Sequence, residues 1–140
     1  VGAIAPEVQK LMDVTRESLL MGVAQAKAGG RLFNISRAVQ SYCEAHGYGI
    51  VRELVGHGIG RHLHEDPQVP NFVPRHGEGF VDLELVEGMT ICIEPMVNMG
   101  TARVKTAKDK WTVLTADGKP SAHFEHTIVV RPGGGEILTK

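Results

Sequence analysis

A chain of 140 residues, 42% of them hydrophobic, is long enough to bury one core and short for two domains. Fifteen Lys and Arg against sixteen Asp and Glu leave a formal charge of -1, so the basic excess needed for phosphate-driven nucleic-acid binding is missing. No apolar run approaches the roughly 20 residues that span a bilayer, and no basic leader precedes an apolar stretch, so a soluble, cytoplasmic protein is expected. Cys43 and Cys92, the only cysteines, read as small buried hydrophobes of a reducing compartment.

From Pro6 the residues Val8, Leu11, Met12, Leu19 and Val23 keep helical spacing until Gly29-Gly30, which predicts one long amphipathic helix. A second helix is expected from an N-cap at Asn34, with Ile35, Ala38, Val39, Tyr42 and Cys43 on one face and Gly47 as its stop. Beyond Gly47, runs rich in β-branched residues predict strands over 49–54, 89–97, 111–115 and 124–130. Asp117-Gly118 signals a hairpin turn that would pair the third with the fourth. The stretch 64–88, with three of the seven prolines and no period, reads as a long surface loop.

Chemistry concentrates in three places. Gly56-His57-Gly58-Ile59-Gly60-Arg61-His62-Leu63-His64-Glu65-Asp66-Pro67 sets His57 among glycines, where an imidazole can project into a cleft. Glu94, in Thr90-Ile91-Cys92-Ile93-Glu94-Pro95, is a carboxylate in an apolar strand that needs a partner or a cation, and Pro95 marks an edge or bulge. Glu125, in Ser121-Ala122-His123-Phe124-Glu125-His126-Thr127, repeats the pattern. Taken singly, each histidine also reads as an exposed side chain of a glycine-rich turn, and each glutamate as half of a sheet-edge salt bridge. Together His57, Glu94 and Glu125 form a nitrogen and oxygen donor set without thiolate, suited to Mn, Co, Fe or Zn at a hydrolytic site. Serine- and cysteine-nucleophile motifs, a P-loop and H-E-x-x-H are absent from the sequence.

With the GHGIGR segment, His64 to Val69, Glu94-Pro95-Met96-Val97-Asn98, Trp111-Thr112-Val113 and Glu125 to Val130 in this order, the chain resembles the C-terminal part of the type I methionine aminopeptidases. The resemblance implies an α/β (α+β) pita-bread fold, a curved antiparallel sheet backed by helices, and a centre of two divalent ions (Co, Mn, Fe or Zn). It implies His57, Glu94 and Glu125 as metal ligands, with Glu125 shared by both ions and Glu94 also handling the proton of the attacking water. His64 would sit beside the scissile amide and stabilise the developing oxyanion or position the amide, and Trp111 and Leu63 would line the substrate pocket. Leu63 departs from the family, which more often has an aromatic residue there, and His62 replaces a commonly small one.

The family's two aspartate ligands lie N-terminal to the segment that begins here. Among Asp13, Asp66, Asp82, Asp109 and Asp117 no pair has the family's spacing of eleven. The resemblance therefore implies a single incomplete domain over 1–140, without the N-terminal half-sheet, and little or no activity for these residues alone. The substrates implied are N-terminal methionyl peptides, with ribosome association as a further family-level expectation. A non-catalytic pita-bread module that binds a peptide or the ribosome, and a related proline-specific aminopeptidase or prolidase, are the alternative readings. Retention of two costly carboxylates among histidines favours the enzyme, whereas the absent aspartates favour the non-catalytic module for these residues alone.

Overall fold

The computed structural model describes residues 2–139. Helix α1 (Pro6–Gln25) starts with Pro in its first turn, where the missing N–H costs nothing, and buries Leu11, Val14, Leu19 and Val23. Helix α2 (Leu32–Ala45) packs against it through Ile35, Val39 and Cys43. At the crossing stands Gly22, where a Cβ would lie 3.0 Å from Val39 Cγ2 and 3.3 Å from Ile35 Cγ2, so the absence of a side chain sets how closely the helices approach. Burial pushes the Cys43 thiol up to about 11, consistent with an unreactive core residue.

The second helix begins three residues earlier than expected, with Arg31 rather than Asn34 at its N-cap position. Asp82, from the long loop, accepts a hydrogen bond from Phe33 N–H through Oδ1 at 2.9 Å while its other oxygen faces Arg31 Nε at 3.4 Å. A carboxylate at the positive end of the helix thus comes from far along the chain. Asn34 instead accepts from Arg37 within the first turn.

Among the described residues ten strands follow: β1 (Gly49–Ile50), β2 (Gly56–Gly58), β3 (Glu65–Val69), β4 (Thr90–Ile93), β5 (Met96–Asn98), β6 (Val104–Thr106), β7 (Val113–Thr115), β8 (Ser121–His123), β9 (His126–Arg131) and β10 (Gly134–Ile137). They form a five-stranded sheet in the order β10-β9-β4-β2-β3, a three-stranded sheet β1-β5-β8 and a two-stranded ribbon β6-β7, antiparallel throughout. The mixed architecture of antiparallel sheets with two helices agrees with the expected fold class. Leu19, Leu32, Ile35, Ile91, Ile93 and Ile128 fill the core between the helices and the five-stranded sheet. Leu11, Val14, Val39, Ile50, Phe72 and Val97 form a second cluster at the three-stranded sheet.

Three expectations are corrected by the strand pattern. The run 89–97 is two strands, β4 and β5, in different sheets, and the strand expected over 124–130 starts only at His126, as β9. The stretch 64–88 opens with a strand, β3, and its Phe72 and Leu85 are buried, so it is partly core. The Asp117-Gly118 turn forms, with Gly118 at φ +74°, yet β7 and β8 do not pair. Asp117 accepts from Thr101 N–H at 2.9 Å and Lys119 N–H at 3.1 Å, so the turn hands the chain from one sheet to another.

The glycines flanking His57 serve close packing rather than unusual dihedral angles. A Cβ at Gly56 would collide with the Cys92 carbonyl oxygen, and one at Gly58 with that of Asp66. Because these obstacles are backbone, Gly56→Ala should destabilise the protein by about 2–3 kcal/mol, read as a lower urea midpoint with an unchanged m-value. The hydrogen bonds to Asp117 hold its carboxyl below the usual carboxylate range. A depressed carboxylate adds stability above its unfolded pKa and loses it as pH falls through the folded one. The destabilisation by Asp117→Asn should therefore be full above about pH 4 and shrink in more acidic buffer, measured by urea unfolding across pH.

Candidate metal centre

The site lies where one antiparallel ribbon passes between two sheets. Strands β4 and β9 pair Ile93 with His126, and β5 and β8 pair Met96 with His123. The two registers are continuous across the gap, which sets Glu94 opposite Glu125 at the joint. Pro95 supplies no N–H there, while Asn71 Nδ2 donates to the Glu94 carbonyl at 3.1 Å and fixes the backbone. Like charges directly opposite each other on paired strands repel, so the arrangement asks for a positive group between them.

His57 arrives from β2, the neighbour of β4. Its Nδ1 lies 2.8 Å from the Gly58 carbonyl oxygen; a carbonyl only accepts, so Nδ1 carries the proton and Nε2 presents a lone pair. That lone pair faces Glu94 Oε1 at 3.5 Å, with both side chains nearly buried at 13% and 14% exposure. Two donor atoms of one tetrahedral ion at about 2.1 Å lie roughly 3.4 Å apart, so the spacing fits a shared cation. On the other side of the same carboxylate, His123 Nε2 stands 3.4 Å from Oε2. This hydrogen-bonded contact with Glu94 raises the His123 pKa above its usual value, against the opposing effect of burial.

Two overlapping sets of potential ligands emerge, His57 with Cys92 and Glu125, and Glu94 with His123 and Glu125; within each, the donor atoms lie within 4.8 Å of one another. Glu125 belongs to both. Cys92 is buried against Thr127, 3.4 Å from its hydroxyl, and burial pushes its thiol up, which leaves nitrogen and oxygen atoms as the readier donors. The residues present thus fit a hard-to-borderline divalent ion.

Of the residues expected at the site, His57, Glu94 and Glu125 converge, and His64 stacks edge-on against the His57 ring with centroids 4.3 Å apart. His57, His64, Glu94, Met96 and His123 line a cleft of about 920 Å³ whose apolar wall includes Leu54 and Val55. Trp111 and Leu63 are not among the residues lining that cleft: Trp111 stands 88% exposed at the β6-β7 turn, and Leu63 is 68% exposed on the loop before His64. His123 stands at the site although nothing in the sequence analysis marks it, and Cys92, expected as a buried hydrophobe, is buried beside it. His123 precedes Glu125 by two residues, the strand repeat that shares a face, and that spacing is a signal available in the sequence.

Residues 1–132 match the model of metallopeptidase family M24. The chain belongs to this family. Over 139 residues it is 54% identical to a methionine aminopeptidase of Clostridium perfringens, covering 99% of the chain and 54% of that relative. It is 51% identical to methionine aminopeptidase 1 of Bacillus subtilis, covering 100% of the chain and 55% of the relative. The crystal structure of the Thermotoga maritima methionine aminopeptidase superposes with a TM-score of 0.92 at 44% identity, covering all of this chain and 55% of the other. An X-Pro aminopeptidase of the same organism shares the fold, with a TM-score of 0.71 at 21% identity. The chain spans just over half the length of these methionine-enzyme relatives. Among the described residues no helix is long and apolar enough to cross a membrane.

The facing glutamates give a direct test of the cation requirement. Without metal, Glu125→Gln should raise stability by up to about 1 kcal/mol by removing one of two opposed charges. The same substitution should abolish most of the rise in melting temperature that Mn(II) gives the unsubstituted protein, measured by differential scanning calorimetry.

Proposed function

We propose that this chain supplies the histidine and glutamate ligands of a metal-dependent methionine aminopeptidase centre that removes the N-terminal methionine from peptides and nascent proteins. The observation that carries this reading is Glu94 facing both Glu125 and the lone pair of His57, an arrangement that a cation between them would stabilise. His57, Glu94 and Glu125 would hold the metal, with Glu125 placed to serve two ions. When bound, divalent ions of the Co, Mn, Fe or Zn class supply Lewis-acid activation of water and of the scissile carbonyl.

The remaining steps belong to the side chains. Glu94 would accept the proton of the attacking water and return it to the leaving amine, a role within hydrogen-bond reach of the cleft it lines. His64, stacked on His57 at the cleft edge, would donate to the substrate carbonyl as negative charge develops. Leu54, Val55 and Met96 provide an apolar wall for a thioether side chain. Identities of 44–54% to methionine enzymes, against a shared fold at 21% with a prolyl-specific one, favour methionyl over prolyl substrates.

The test is hydrolysis of a methionyl tripeptide, with added Co(II) or Mn(II), by these residues joined to the aspartate-bearing N-terminal half of a methionine aminopeptidase relative, beside a substrate with proline in second position; these residues alone are expected to show little or no turnover. Metal-dependent release of methionine that falls at least about 100-fold in Glu94→Gln is expected. Release that survives chelation, or that Glu94→Gln leaves unchanged, would overturn the assignment.

A further inference from the structure

A second imidazole at the Glu94 carboxylate has no part in the mechanism above. His123 closes β8, paired with Met96, two residues before Glu125 and therefore on the same side of the chain. Its Nε2 lies 3.4 Å from Glu94 Oε2, matching the 3.5 Å from His57 Nε2 to Oε1. The carboxylate is thus flanked by one ring on each oxygen. The donor atoms of Glu94, His123 and Glu125 are all within 4.8 Å of one another, so one ion can reach all three. At 47% exposure the His123 side chain keeps the freedom to close the remaining distance, whereas Glu94 is fixed by its surroundings.

Resting on the metal reading of the site, we propose that His123 is a protein ligand, through Nε2, to the divalent cation that Glu94 and Glu125 hold. The set then contains an imidazole on each side of Glu94, from strands of two different sheets. Chemically, the extra nitrogen moves the site's preference away from Mn(II) and toward Co(II) or Zn(II), which favour imidazole over a further oxygen or water. The alternative role for His123 is a hydrogen-bond donor to Glu94 with no bond to metal. Glutamine separates the two, because its amide N–H replaces that hydrogen bond but not the imidazole.

The experiment loads the protein with Co(II) and counts the far-shifted exchangeable imidazole N–H resonances by proton NMR, with Co(II) and Mn(II) affinities measured by calorimetry. Ligation by His123 requires that His123→Gln lose one such resonance and weaken Co(II) binding about 10- to 100-fold, with a smaller loss for Mn(II). His123→Ala, checked for an unchanged melting temperature without metal, should show the same loss. An unchanged resonance count and affinities within twofold in His123→Gln would overturn the ligand assignment alone. A protein that binds no Co(II) in its unsubstituted form would overturn it together with the metal reading of the site.

Discussion

Two carboxylates held opposite each other on adjoining strands repel unless positive charge stands between them. The backbone has no freedom to separate Glu94 from Glu125, because the register on either side is fixed by paired residues, Ile93 with His126 and Met96 with His123. The side chains behind that register, Ile91, Ile93, Val97 and Ile128, are fully buried, and shifting the pairing by one residue would turn them to the other face. Core packing therefore enforces an electrostatic conflict, and the conflict is what makes the site receptive to a cation. The two helices contribute indirectly: by covering the inner faces of both sheets they make the register costly to change.

The glycines and the long loop serve the same end from the outside. Gly56 and Gly58 let β2 approach β4 and β3 more closely than any side chain would allow, which brings the His57 ring to Glu94 rather than leaving it at a surface turn. Asn71, from the loop after β3, anchors the Glu94 carbonyl just where Pro95 can offer no N–H. Asp82, further along that loop, closes the first turn of α2. One irregular segment thus secures both the helix start and the strand break.

The sequence made the helices legible because their apolar spacing survives in a single pass along the chain. It made His57, Glu94 and Glu125 legible because glycine neighbours and apolar strands are odd company for an imidazole and two carboxylates. What it concealed depends on distant partners. The cap of α2 is a residue about fifty positions away, and local rules pointed to Asn34 instead. The split of 89–97 into two strands follows from which sheet each half joins, and the unpaired β7-β8 connection from competition with β6 and β5. The motif around Trp111 points to the substrate pocket, but its exposure follows from the ribbon β6-β7 forming a sheet of its own.

The crossing of the ribbon between sheets has a mechanical consequence. His57 is carried by the five-stranded sheet and His123 by the three-stranded one, while Glu94 and Glu125 occupy the joint itself. The span between the imidazoles is therefore fixed by how the two sheets meet, while the span between the carboxylates is fixed by the strand pairing on either side of them. The joint is thereby a caliper: the way the two sheets meet there sets the bite that the nitrogen donors can take on whatever lies between them.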